Sequence, residues 1–167
     1  MSHEQKGLTD EWYTPKYIFD ALGCEFDLDI AAPLQDTFVP AKKKITENSL
    51  NLEWIGFIWS NPPFGGRNGL IPWNEKFIKH GNGIHLTPDR TSTKWWQDLA
   101  KQSWAHLHIY GKVKFVKPDG TTGDQPSNGT TLFAIGHVAV HAFLKAERSG
   151  LGVVFINSNN CKNENNQ

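Results

Sequence analysis

Three residues of the stretch Phe57 to Gly66, FIWSNPPFGG, have types and spacing that can do chemistry together: Asn61, Pro62 and Phe64. An asparagine side chain offers one accepting oxygen and an amide that donates two hydrogen bonds. The carbonyl of Pro62 is a second acceptor, free of any ladder if a strand stops there. Phe64 adds a flat aromatic face. Two acceptors and a stacking surface suit an exocyclic amino group on an aromatic base. Such a nitrogen delocalises its lone pair into the ring and is a poor nucleophile. Acceptors on both of its hydrogens push it toward sp³ geometry and free the pair for attack. Inside a duplex the base is out of reach and must be flipped out at a cost of a few kcal/mol. Stacking on one aromatic ring returns about 1–3 kcal/mol. Asn-Pro-Pro is also ordinary turn chemistry, so these residues alone leave both readings open.

The elements that must position this stretch are short apolar strands alternating with helices. Two consecutive prolines cannot continue a central strand, because they donate nothing to the ladder. The strand GFIWS (56–60) therefore ends abruptly at Asn61. FDLDIAA (26–32), GIHLTP (83–88), AHLHIYGKVKFV (105–116, a strand or a bent pair) and LGVVFIN (151–157) read as further strands. TTLFAIGHVAVHAF (130–143) reads as β-rich with an end that suits a helix. Helices are expected over PKYIFDAL, capped by Thr14 or Asp10 and stopped by Gly23, over 74–81, and over 91–103 with Thr91 or Ser92 as cap. This alternation predicts an α/β layer structure with a mostly parallel central sheet flanked by helices. Ligands of such sheets bind beyond the carboxyl ends of strands. Asp29 to Pro33, Ser60 to Phe64 and Thr87 to Arg90 stand at three such ends.

The 167 residues suit one domain over 1–157, with the Asn-rich tail 158–167 expected to be disordered. Cys24 and Cys161 lie far apart and form no ligand pattern, so they read as free thiols of a reducing compartment. No apolar run approaches a membrane span, and the first residues carry no apolar signal segment. The expected location is the cytoplasm. Charge balances at 17 basic and 17 acidic residues, which argues against a purely electrostatic nucleic-acid binder but not against a local basic face. Seven Trp and ten Phe make aromatics plentiful; some are expected in the core, and Trp beyond core needs marks stacking surfaces. Trp95 and Trp96 face different ways on a helix, so one is expected in the core and one at a ligand. His106 and His108 share one strand face, but with no carboxylate or Cys near them they are not read as a metal site.

In order along the chain, DEWYTPKYIFDALG (10–23), FDLDIAAP (26–33), NPPF (61–64), LTPDRTSTKWW (86–96) and YGKVKF (110–115) resemble segments of the phage-type, Dam-like DNA N6-adenine methyltransferases. The resemblance implies a Rossmann-like fold that uses S-adenosylmethionine, transfer of its methyl group to a flipped adenine in double-stranded DNA, and no metal. It implies that Asn61, Pro62, Pro63 and Phe64 hold the adenine. It implies that Tyr13, Thr14, Pro15, Asp29 and Ala31, together with Asn61, contact the cofactor. A buried Asp29 needs a partner, such as the cofactor's ammonium or a backbone N–H. The sequence departs from the family in lacking a glycine-rich turn after the first strand, where Pro33-Leu34-Gln35 stands, and in carrying Lys112 where an arginine is usual. Glu47 or Asn48 stands in the segment where such enzymes often place an acidic residue near the target adenine ring, a surface role being the alternative for either.

The chain leaves little room for a separate recognition domain. Recognition is therefore expected in GGRNGLIPW (65–73) and in the polar loop 117–130. Arg67 and Arg90 are candidates for phosphate or guanine, and Lys94 and Lys112 for phosphate. A solvated surface role is the alternative for each. Asn-Pro-Pro-Phe also occurs in protein glutamine N-methyltransferases, which makes a protein substrate the second reading. A non-catalytic DNA-binding domain with a degenerate pocket is the third. The oligomeric state is open, with a monomer favoured. Protection from restriction and regulation are both compatible biological roles, the setting then being a host cytoplasm if the chain is phage-encoded.

Overall fold

The computed structural model describes residues 12–66, 68–124 and 126–158. Seven strands form one sheet: β1 (Phe26–Asp29), β2 (Ala41–Lys44), β3 (Ile58–Ser60), β4 (Gly83–Pro88), β5 (Ala105–Ile109), β6 (Thr130–Ile135) and β7 (Gly152–Ile156), in the order β2-β1-β3-β4-β6-β5-β7. Four helices accompany them: α1 (Lys16–Leu22), α2 (Ile71–His80), α3 (Lys94–Gln102) and α4 (His137–Arg148). The fold is mixed α/β.

Strand direction corrects the expectation of a mostly parallel sheet. The half β2-β1-β3-β4 is parallel, but β6 runs against both β4 and β5, and β7 runs against β5. The chain turns back between β5 and β6 through residues 110–129, and α4, entered through Gly136, then carries it to β7 at the far edge, parallel to β6. From β1 the chain first goes outward to β2 and then crosses to β3 on the other side. Strand order therefore reverses between β1 and β3, the kind of crevice where α/β sheets bind ligands.

The pleat divides the apolar residues between two layers. Trp59, Ile84, Leu86, Leu107, Leu132 and Ala134 point to the side covered by α1 and α4, where Ile18, Phe19, Leu22 and Phe143 complete one core. Ile58, Phe133 and Ile135 point the other way, onto Phe77 of α2 and Trp96 and Leu99 of α3. Burial on both faces explains why β3, β4 and β6 read as continuous apolar runs rather than alternating ones.

Element ends follow from local chemistry. α1 starts after Pro15, whose fixed φ of −67° is already suitable and which takes the cap position in place of Thr14; Asp10, the other expected cap, lies outside the described residues. Gly23 ends it in the left-handed region, with its N–H on Phe19 O. β1 stops at Asp29, three residues short of expectation, and β5 at Ile109. Beyond β5 the chain makes single bridges, Val116 with Tyr13 and with Thr122. The polar loop is thus folded onto the N-terminal segment. The basic run Lys42–Lys44, unassigned from sequence, is the edge strand β2; charge on an edge discourages pairing with other chains. The Asn-rich tail beyond residue 158, and Cys161 with it, lie outside the described residues. Among the described residues no helix is long and apolar enough to cross a membrane.

Candidate active site

β3 delivers Asn61 to the lip of the sheet at the point where strand order reverses. Ser60, its last residue, is fully buried, while Asn61 is half-buried and Phe64 is 40% exposed. Asn61, Pro62, Pro63 and Phe64 line a cavity of about 650 Å³ together with Tyr13 and Ala31. Asn61 Nδ2 donates to Thr14 Oγ1 at 3.1 Å. That bond uses the donor end of the amide and leaves Oδ1 as an available acceptor. Thr14 is itself 3% exposed and sits beside the loop carrying Tyr13, whose backbone N–H and C=O both pair with Val116 at 2.8 and 2.9 Å.

The opposite wall comes from residues that sequence reasoning did not assign to the cavity: Trp12, Phe115, Lys117, Asp124 and Pro126. Trp12 lies on Gly123, where a Cβ would meet its ring at 2.3 Å, so only glycine admits this contact. Lys117 Nζ stands 5.8 Å from the Trp12 ring centre. No local signal announces a contact between positions so far apart in sequence.

A second volume of about 270 Å³ continues from the first, sharing Ala31, Ala32, Thr46 and Pro63 and adding Glu47, Asn48 and Trp73. Glu47 and Asn48 therefore stand at the far end of a trough running over the carboxyl ends of β1 and β2, not against Asn61. Small residues at 31 and 32 bring backbone to its floor. Asp29 faces away from the main cavity into a space of about 320 Å³ beside Gln35 and the β2 lysines. It is 5% exposed, and its Oδ1 accepts the N–H of Ala31 at 3.2 Å. Burial pushes its carboxyl up to about 6, against the opposing pull of the Ala31 N–H and the charge of Lys44.

Beneath the lip lies a buried polar chain that the apolar look of β4 concealed. Ser60 Oγ meets His85 Nδ1 at 2.7 Å, and His85 Nε2 meets Asn74 Oδ1 at 2.8 Å. Phe77 stacks on the imidazole at 4.9 Å. Complete burial drives His85 down to about 3, so the ring is neutral. The neutral ring donates from Nε2 to Asn74 and accepts at Nδ1 from the Ser60 hydroxyl. A histidine inside the apolar run of GIHLTP was the available signal.

The remaining sequence candidates are dispersed. Pro15 caps α1 and is outside the cavity lining. Arg90 lines a separate cavity with Trp95, while Trp96 is core. Lys94 is exposed and paired with Asp98 one turn on; Lys112 is exposed and lines no described cavity. Arg67 lies outside the described residues. His106 Nδ1 and His108 Nε2 are 2.9 Å apart on β5, and no group of three or more metal-ligating side chains occurs among the described residues.

An acceptor amide with its donor end already engaged, a strand-end residue and an aromatic face line one cavity, an arrangement able to hold the amino group of a planar compound. The comparisons with known proteins narrow that class. The family model described as DNA N-6-adenine-methyltransferase (Dam) matches residues 1–164, and the chain belongs to that family. A protein of Haemophilus phage HP1 (strain HP1c1), described as a DNA N-6-adenine-methyltransferase, is 23% identical over 154 residues, which cover 87% of this chain and 89% of the relative. No solved structure matches significantly. The activity of the family is methylation of adenine N6 in DNA.

Proposed function

We propose that the chain methylates adenine N6 in double-stranded DNA from S-adenosylmethionine, as one catalytic domain over residues 1–157 with a Rossmann-like cofactor fold, working in the cytoplasm of the cell that contains it. The observation that carries this reading is the orientation of Asn61. With Nδ2 on Thr14, Oδ1 is left to accept one amino hydrogen, and the Pro62 carbonyl takes the other. Phe64 stacks the extruded ring. The protein acts mainly by positioning and by excluding water.

The residues present fit the methyl donor. A trough of about 650 and 270 Å³ in two joined parts has the size and the mix of apolar wall and few polar groups expected for a nucleoside-containing ligand. When bound, the donor supplies an electrophilic methyl on a sulfonium. Tyr13 and Ala31 would border its methionine end near Asn61. Asp29, outside the trough, sets the Ala31 backbone by accepting its N–H. Glu47 and Asn48 would face the nucleoside end, consistent with an acidic side chain at a strand end reading ribose hydroxyls. Pro33-Leu34-Gln35 replaces a glycine turn without closing the trough, since Ala31 and Ala32 provide the close backbone approach.

The test is incubation with labelled S-adenosylmethionine and unmethylated duplex DNA, read by sequencing for methyl-adenine. Incorporation into adenine is expected, and Asn61→Ala should lower turnover at least about 10²-fold while cofactor binding persists. Near-normal turnover of Asn61→Ala would refute the role given to its amide. Labelling of a glutamine peptide in place of DNA would instead favour a protein substrate.

A further inference from the structure

The buried chain Ser60–His85–Asn74 lies beneath the lip of the sheet, and no step of the reaction uses it. Ser60 is the residue before Asn61, and Asn74 is the fourth residue of α2. The segment between them carries Asn61, Pro62, Pro63 and Phe64, the groups given to the adenine. It leaves the sheet at one end of an imidazole and returns to the other end of the same imidazole.

The backbone cannot hold the start of this segment. β3 and β4 are parallel with Ser60 opposite His85, and Ile58 N–H donates to Asn82 O at 3.1 Å. Continued in that register, the rungs after Ser60 would run from N–H of residue 62 to Leu86 O and from N–H of residue 88 to Pro62 O. Pro62 and Pro88 have no N–H, so both rungs are missing. Asn61, Pro62 and Pro63 make no backbone–backbone hydrogen bond with any described residue. The Pro62 carbonyl is thereby left free of the ladder, and the peptide that carries it must be placed by side chains. Asn61 on Thr14 at 3.1 Å is one such tether, and Ser60 Oγ on His85 Nδ1 at 2.7 Å is the other.

The imidazole is a fixed post for that second tether. It is fully buried, and α2 grips it twice from one side. Asn74 Oδ1 accepts its Nε2–H at 2.8 Å, and Phe77, three residues on, stacks on its face at 4.9 Å and 20°. His85 itself lines none of the cavities described above. The arrangement is not one that stability alone selects. Asn74 Nδ2 is buried with no hydrogen-bond partner among the described residues, and an unpaired buried donor costs stability that an apolar side chain would not. A local departure of this kind beside a site marks a place where position matters more than stability.

We propose that His85 is a positioning residue: by holding Ser60 on one ring nitrogen and Asn74 on the other, it clasps both ends of the segment 61–73 and sets where the Asn61 and Pro62 acceptors stand. The inference rests on the role given to Asn61 above. A clasp of this kind acts on turnover, because a misplacement of about 1 Å at the reacting groups costs about 10²-fold.

The experiment compares wild type, Ser60→Ala, and a triple variant combining Ser60→Ala, Asn74→Ala and His85→Leu, which removes every polar side-chain atom of the chain at nearly constant volume. Melting temperature, calorimetric binding of S-adenosylmethionine and steady-state kinetics on unmethylated duplex DNA are measured on each. Ser60→Ala should lower kcat about tenfold and leave cofactor affinity within about twofold. The triple variant should melt at or above wild type, since it loses the unpaired donor, and should lower kcat about 10²-fold. Stability and turnover then move in opposite directions, which a merely structural role does not produce. If the triple variant does not fold, Ser60→Ala, which removes a single oxygen, gives the answer. Unchanged kcat in the folded variants overturns the proposal. So does a loss confined to cofactor affinity, which would put the chain in support of the trough and not of the acceptors. A fully active Asn61→Ala would remove the role of Asn61 and this inference with it. A crippled Asn61→Ala beside fully active Ser60→Ala and triple variants refutes the clasp alone.

Discussion

At the residue scale the site depends on how one amide is turned. Thr14 Oγ1 fixes Asn61 by a single 3.1 Å bond, so Thr14→Val should free the amide to rotate and lower kcat on the order of tenfold. Thr14→Ser should restore most of the rate, because it keeps the oxygen. Steady-state kinetics on duplex DNA checks both, and a fall in both variants alike would count against this role. Asp29 makes a second prediction. Its carboxyl is raised to about 6, so in the free protein the folded state holds its proton more tightly than the unfolded chain. The stability this gives is full below the ordinary carboxylate range and is lost as pH rises through 6. Asp29→Asn should therefore raise the melting temperature of the free protein at pH 7.5, as thermal denaturation would show.

At the scale of elements, the rim of the end of the trough away from Asn61 is held by one lysine. Lys76 of α2 donates to the carbonyls of Ser49 at 2.9 Å and Leu50 at 3.0 Å, and to that of Leu52, closing the 3₁₀ turn Ser49–Asn51. Its ammonium also stands 4.6 Å from the Trp54 ring centre. Lys76→Met should cost about 1–2 kcal/mol and lower the melting temperature by about 2–8 °C. Cofactor affinity should fall more than turnover, because the turn borders the trough and not Asn61. A variant that melts as wild type would show that solvent satisfies these carbonyls equally well. The elements themselves were legible where local rules decide them. GIHLTP ends at both of its expected residues, and Gly23 stops α1 as expected. β2 was not legible, because Lys42–Lys44 has no apolar alternation; only its pairing with β1 makes it a strand.

At the scale of the whole molecule, acid stability is a balance of opposed groups. His85 is driven down to about 3 and His106 to about 4, each chiefly by burial, so their unfolded forms take up protons first as pH falls below about 6.5. Both then withdraw stability as acidity rises. Asp29 acts in the opposite sense between the ordinary carboxylate range and 6. Removing it in Asp29→Asn should make the melting temperature fall more steeply between pH 6 and 4 than in wild type, a thermal-denaturation series giving the comparison. Equal slopes would mean that Asp29 does not hold its proton through that range. The sequence by itself determined where β3 ends, because two consecutive prolines donate nothing to a ladder, and the order of its segments carried the resemblance to the family. It also determined the α/β alternation, since period and punctuation are local. Only the tertiary structure decided what faces what: Thr14 on Asn61, Trp12 on Gly123, His85 between Ser60 and Asn74, and Arg90 apart from the main cavity. Those pairs join positions 11 or more residues apart. Their meeting is fixed by strand order and by which side of the pleat each residue takes, neither of which a linear pattern encodes.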